Sequence, residues 1–382
     1  MCTKLWSAPF LILAALSGVL SSCDMAPSKV PKSETKMSEF IVGSYAKDNE
    51  PGIYRIQLDP KTAALSSLTT LAATVNPSYL TLSADKQTVF AVNETDKGGI
   101  TVFNWQKDHS VLLPASLLTE LGDNPCYVSI SPDGTTLAIA NYSSGDIRLF
   151  KIEGADTQGS ILREFASHQS QGQGAHERQE APHMHWVDWS PDGKFIYSVD
   201  LGLDAVSVYE LDGETLSPAR VALKLQPADG PRHMVFSKKQ QVAYVINELS
   251  NDIVVVQQDP DTGLLTEIQR LSSLPTDFAD ISYGAAIKLS PKQDFLYVAN
   301  RGLNAISVFA IDEQGKLTYI QDQSTGGNWP RDFVISNDGE FLLVANQLSS
   351  DITVLKRDTK SGLLSSTDSK IAISQPTYLS QL

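Results

Sequence analysis

Side chains able to do acid–base or electrostatic chemistry fall in short, recurring segments of this chain. One set is His183 and His185, Arg232 and His233, and Arg331 and Asp332, with Tyr79 and Tyr127 in corresponding places. A second set is Asn93-Glu94, Asn141-Tyr142, Asp200, Asn247-Glu248, Asn300-Arg301 and Asn346-Gln347. An imidazole or a carboxylate can take a proton from water. A guanidinium can hold an oxyanion through charge-assisted hydrogen bonds. His183-Met184-His185 puts two imidazoles on one strand face, which could begin a metal site. No third ligand stands at a diagnostic spacing, so no metal is expected. Arg232 and Arg331, each after a proline, could instead be structural partners of Glu248 or Asp332. No Gly-x-Ser-x-Gly elbow occurs, which argues against an acyl-serine route. His168 and His176 lie in a Gln/Gly-rich stretch and are expected in solvent.

The elements that must position these groups are legible as a repeat. Six segments, Asn76–Ser83, Asn124–Ser131, His183–Ser190, Gly230–Ser237, Tyr283–Ser290 and Trp329–Ser336, share one pattern. A turn follows each anchoring Ser, as in Pro132-Asp133-Gly134 and Pro191-Asp192-Gly193. An apolar run then ends in Asn93, Asn141, Asp200, Asn247, Asn300 or Asn346, each ten positions after its Ser. Alternating β-branched and aromatic residues with turn punctuation predict four antiparallel strands per unit. The Ser positions are about 46 to 59 apart, a period that fits propeller blades. Phe40–Asp59 reads as a repeat without its beginning, and Gln375–Leu379 as a beginning without its end. Joined, they predict an all-β, seven-bladed propeller closed by the C-terminal strand, innermost in the shared blade.

First-strand starts and second-strand ends lie at the same end of each hairpin, so both sets converge on one mouth of the channel. Turns at the other mouth are bland. A concave site with convergent polar groups is the natural candidate. There His185, Asp200, His233, Arg331 and Gln347 are candidate substrate contacts, and the strand-end Asn residues are expected to cap their own turns. The stretch 152–181 is the longest departure from the repeat and leads into His183, as either a lid or a surface loop.

The chain has 382 residues and a net charge of −14. Such a charge does not fit a nucleic-acid partner. Lys4 and the apolar run Pro9–Val19 form a short leader, too short to span a bilayer permanently. Leu20-Ser21-Ser22-Cys23 resembles a bacterial lipobox, so residues 1–22 are expected to be a signal peptide, with Cys23 acylated. Residues 23–38 would form a flexible tether and residues 39–382 the propeller. The expected location is the cell envelope, periplasmic or surface side, with a lipid anchor in a membrane and the domain a monomer. Of the three cysteines, Cys2 and Cys23 fall in that leader region, and Cys126 is expected to be a small buried hydrophobe.

Pro182-His183-Met184-His185 and Ser190 to Gly202 resemble the bacterial 6-phosphogluconolactonase family of propeller fold. So do Glu177-Arg178-Gln179-Glu180, Gly230-Pro231-Arg232-His233, Asn247-Glu248-Leu249, Asn300-Arg301-Gly302 and Pro330-Arg331-Asp332-Phe333. The resemblance covers Phe40 to Leu382. It implies lactone hydrolysis without a cofactor, and it extends to fungal carboxymuconate lactonizing enzymes. By motif the latter imply His183, Arg232, Glu248 and Arg301 as catalytic groups. Glu248 or His183 would accept the proton of attacking water, and the two arginines would hold the carbonyl oxygen. The family's named substrate is a cytosolic phosphorylated sugar lactone, whereas a lipobox places this chain outside the cytoplasm. Two alternatives therefore stand beside the sugar-lactone or ester hydrolase: a non-catalytic envelope propeller that binds a protein or glycan, and a carboxymuconate cyclase-like isomerase.

Overall fold

A computed structural model describes residues 36–154 and 161–382. The leader, Cys23 and most of the tether lie outside the described residues. Seven antiparallel sheets follow one another along the chain. Blade 1 is Ser38–Ser44, Pro51–Leu58 and Leu65–Ala73, and blade 2 is Leu80–Leu82, Thr88–Asn93, Gly99–Trp105 and Leu112–Leu118. Blade 3 is Pro125–Ile130, Thr136–Asn141, Asp146–Glu153 and Ile161–Gln169, and blade 4 is Met184–Trp189, Phe195–Asp200, Ala205–Asp212 and Arg220–Lys224. Blade 5 is Pro231–Phe236, Val242–Asn247, Asp252–Gln258 and Leu265–Ser272, and blade 6 is Tyr283–Leu289, Phe295–Arg301, Ala305–Ile311 and Leu317–Ser324. Blade 7 is Pro330–Ile335, Phe341–Asn346, Asp351–Arg357 and Leu364–Ala372. Blade 4 carries one extra short strand, Thr215–Leu216, paired with Leu211 and Asp212. The C-terminal strand Pro376–Gln381 pairs with Ser38–Ser44 and is the innermost strand of blade 1, as the two half-repeats predict.

Second strands are mostly apolar because they are buried on both faces; Thr88–Asn93, Thr136–Asn141 and Phe341–Asn346 are buried at every residue. The outermost strands alternate, as Leu364–Ala372 does, because one face meets solvent. The core lies between neighbouring sheets. Phe40, Val42 and Ile56 of blade 1 pack with Phe341, Leu343 and Val354 of blade 7, so the apolar seam closes the ring as well. Tyrosines on second strands add polar stitches: the Tyr197, Tyr244 and Tyr297 hydroxyls donate to the Gly263, Gly315 and Gly362 carbonyls in the next blade.

The anchoring Ser has a local cause. Its hydroxyl donates to the Asp of the following turn and accepts the N–H that re-enters the second strand, as at Ser131, Ser190 and Ser336. The strand-end Asn residues are structural as expected, but most do not cap their own turns. Asn93, Asn141 and Asn300 donate to the Val75, Leu121 and Ser273 carbonyls in the loop arriving from the outer strand before. They tie one blade's exit to the next hairpin.

Candidate active site

Two positions of every blade deliver side chains to one mouth. The first follows the polar end of the second strand: Tyr45, Glu94, Tyr142, Leu201, Glu248, Arg301 and Gln347. In six blades its N–H is held by the carbonyl of the residue opening the inner segment. Tyr45 donates to Gln375, Glu94 to Asn76, Tyr142 to Asn124, Leu201 to His183, Glu248 to Gly230 and Gln347 to Trp329. Five of those six opening residues adopt positive φ, His183 being the exception.

The second position lies two residues after the opener: Thr377, Ser78, Cys126, His185, Arg232, Ala285 and Arg331. In five blades the inner-strand ladder skips this residue, and in blade 6 the shift covers Ala285 and Ala286. A bulge releases a residue from the pleat and re-aims its side chain. His185, Arg232 and Arg331 thereby meet the first set.

Glu248 is the centre. Its Oε1 lies 2.7 Å from Arg178 Nη1, and its Oε2 lies 2.8 Å from Arg301 Nη2 and 3.1 Å from Arg232 Nε. Glu248 and Arg232 side chains are only 3% and 2% exposed. Burial alone would raise the Glu248 pKa, but Arg301, Arg232 and Arg178 outweigh it and hold the carboxyl well below its usual range. The same burial, with Arg301 and Arg331 nearby, lowers Arg232 to about 10. Of the Arg301 donors only Nη2 is engaged among the described residues, on Glu248 and on the Gly284 carbonyl at 2.8 Å. Its buried Nε has no hydrogen-bond partner among the described residues.

His183 borders this cluster through Tyr142. The two rings stack 4.4 Å apart with planes 10° from parallel, and the Tyr142 hydroxyl accepts from Arg178 Nη2 at 3.2 Å. His183 Nδ1 lies 3.1 Å from the Tyr142 carbonyl, which can only accept. The proton therefore sits on Nδ1, and Nε2 keeps a lone pair when the ring is neutral. Glu180 Oε1, 3.4 Å from Nε2, is placed to pair with that nitrogen once it is protonated. The mouth thus combines a base with a free lone pair and guanidiniums around a fixed carboxylate.

The family model described as lactonase, 7-bladed beta-propeller, matches residues 39–380. The chain belongs to that lactonase family. It is 33% identical over 344 residues to the 6-phosphogluconolactonase of Bacillus subtilis (strain 168), covering 89% of this chain and 97% of that one. Among solved structures, the periplasmic gluconolactonase of Pseudomonas aeruginosa superposes with a TM-score of 0.84 at 31% identity, over 91% of this chain and 99% of that chain. A Lactobacillus plantarum protein gives 0.83 at 33%, over 91% and 100%.

Within this lactonase, Arg232, Glu248 and Arg301 are in direct contact, and His183 lies one ring away. His185 and His233 are buried beside them, 5.2 Å apart. Burial and then Arg232 push both far below the imidazole range, so both are neutral. His183 and His185 flank the face and the edge of Tyr142 and do not converge on a common point. Asp200 is not brought to the cluster: its Oδ1 accepts the His183 and Leu203 N–H groups, fixing the backbone that carries His183. Arg331 lies over the Tyr45 ring at 5.3 Å and 3.8 Å from Glu94, not against Asp332. Asp332 points elsewhere, pairing with Lys288 at 2.8 Å and accepting from the Leu379 N–H. Gln347 has a buried Oε1 without a partner among the described residues. His168 and His176 are half-buried: one packs on Tyr209, and the other caps the short 3-10 turn Glu177–Gln179. Cys126 is buried as expected, and burial pushes its thiol far up.

Sequence reasoning missed Arg178 as a site residue. Residues 155–160 lie outside the described residues, Ile161–Gln169 is blade 3's outer strand, and Glu177–Gln179 carries Arg178 onto Glu248. The available signal was its place in Glu177-Arg178-Gln179-Glu180. Tyr45 was missed too, and Glu94, placed at the mouth by the repeat, was given no role; both hold the same post-strand position as Glu248, and the Tyr45 hydroxyl donates to Glu94 at 2.8 Å.

Proposed function

We propose that this lactonase hydrolyses an unphosphorylated sugar lactone by direct attack of water at the polar mouth. The observation that carries this reading is one buried carboxylate, Glu248, held by three guanidiniums. The carboxylate is too acidic to be an effective base and instead aligns Arg232 and Arg301, whose remaining donors fit a developing oxyanion. His183 Nε2 takes the water proton and Glu180 then faces the imidazolium; as the tetrahedral intermediate collapses, the ring C–O bond breaks and its leaving oxygen takes that proton back from His183. Arg178, Arg232, Arg301 and Arg331 outnumber Glu94, Glu180 and Glu248, which also suits the carboxylate product. The unphosphorylated substrate rests on the lipobox-like leader, which would place the domain on the outer side of a membrane through acylated Cys23. The P. aeruginosa neighbour, by its name, acts in the periplasm on a gluconolactone.

The test is hydrolysis of glucono-δ-lactone, its 6-phosphate and simple aliphatic lactones, each corrected for spontaneous opening. The wild type should favour glucono-δ-lactone. His183→Gln should turn over at least about 100-fold more slowly. Turnover of none of the lactones would favour a binding propeller. Undiminished turnover in His183→Gln would assign the base elsewhere.

A further inference from the structure

Five blades place their opening residue in the left-handed region while its carbonyl accepts the post-strand N–H; blade 4 makes the same bond from His183 without it. Asn76 (φ 39°), Asn124 (54°), Gly230 (58°) and Gln375 (39°) fill four of these positions. Asn and Gly tolerate that conformation best. The fifth is Trp329, at φ 66°. A bulky aromatic there is strained, and strained residues persist where the surrounding structure holds them. Here the hold is explicit: the Trp329 N–H donates to Asn304 Oδ1 at 2.8 Å, and its carbonyl accepts from the Gln347 N–H at 3.0 Å.

The indole occupies a place that Asn or Gly could not fill. The Arg301 guanidinium carbon lies 5.6 Å from the Trp329 ring centre and 5.9 Å from that of Tyr283, and the two rings are 5.9 Å apart, edge to face. Arg301 is therefore fixed at one nitrogen by Glu248 and Gly284 and flanked by two aromatic rings. Guanidinium is well suited to this because it stacks on aromatic faces while its N–H groups stay available in plane.

We propose that Trp329 is a positioning residue for Arg301: it is kept left-handed at the mouth so that its indole holds the guanidinium plane while Nη1 remains open to the reacting oxygen. This rests on the hydrolase reading above. The consequence is selective for charge. A neutral lactone needs little from the Arg301 plane, whereas the oxyanion and the product carboxylate depend on it.

The experiment compares wild type with Trp329→Asn, which matches the residue of blades 2 and 3, and with Trp329→Phe, which keeps a ring. Kinetics on glucono-δ-lactone, thermal unfolding and calorimetric titration with gluconate are read together. In Trp329→Asn, kcat should fall on the order of ten-fold with KM changed less than about two-fold. Gluconate binding should weaken by a similar factor, and Tm should not drop. Trp329→Phe should recover most of kcat and of the gluconate affinity. An unchanged kcat in Trp329→Asn would overturn the proposal. So would a rise in KM alone, which would make the ring a substrate contact. So would equal losses in both variants accompanied by lower Tm, which would make it a packing residue. If wild type binds gluconate but opens no lactone, the hydrolase reading fails by itself. The Trp329 proposal is then decided by whether Trp329→Asn weakens gluconate binding and Trp329→Phe does not.

Discussion

Glu248→Gln removes the negative charge at the centre of the mouth while keeping the side chain's size. Gln can still accept from one guanidinium, but Arg232 and Arg301, 2% and 6% exposed at the side chain, lose their counter-charge. At an effective dielectric constant of about 20, one pair of charges about 4 Å apart is worth roughly 4 kcal/mol. Removing one partner of a buried ion pair costs about 3–5 kcal/mol by measurement on other proteins, so the two routes agree. Arg178 is half-exposed and adds little. At about 2 °C per kcal/mol for a large domain, Tm should drop by roughly 6–10 °C. Turnover should fall at least about 100-fold, as when an oxyanion donor is displaced. The acid dependence follows from the sign of the shift. A depressed carboxyl pKa stabilises fully above the ordinary carboxylate range, and that contribution is lost only as pH falls through the folded-state value. The Tm gap between wild type and variant should therefore be the same at pH 8 and pH 5. Because the pair is buried, 1 M salt should leave it nearly intact. Differential scanning calorimetry at both pH values and background-corrected lactone hydrolysis would measure these. A Glu248→Gln protein with wild-type Tm and turnover would refute the reasoning.

Arg178→Met should separate chemistry from stability. Its side chain is 37% exposed, so unfolding free energy should change by about 1 kcal/mol or less, while turnover falls about ten-fold; chemical denaturation alongside kinetics checks both. Asp188, inside the channel, is raised by burial to about 7, so its folded state prefers the neutral acid. A raised carboxyl pKa lowers stability as pH climbs from the unfolded-state value through the folded one. Asp188→Asn should therefore be stabilising at pH 8, by up to about 4 kcal/mol, and nearly neutral at pH 3.5; Tm measured at the two pH values tests the sign.

Much of this was open to reading along the chain. The ten-residue offset from Ser to Asn survives because both residues bridge backbone groups at the two ends of one hairpin, so neither the spacing nor the type can drift. The two half-repeats at the termini carry the ring closure in the same way. Glu248, Arg232 and Arg301 were findable because the repeat places them at one mouth. The rest depended on features without a periodic signature. Arg178 arrives on a non-repeating segment. The skipped residue on the inner strands depends on a bulge, and a one-residue shift decides which side a group faces. That is why Arg331 meets Glu94 while Asp332 turns to Lys288. Asp200 has the composition of a ligand, but its carboxylate is taken up by local N–H groups.

The pairing of Phe40 with Gln381 has a kinetic meaning. The last strand of the propeller completes its first sheet, so blade 1 must wait for the rest of the domain with its inner edge open. Its closure links residues separated by nearly the full length of the domain, and such long-range pairing slows folding. During that wait the free edge is a template for wrong pairing with another chain. Loss of the final strand would leave that exposed edge permanently, so a short C-terminal truncation should be seen first as aggregation rather than as a modest fall in stability.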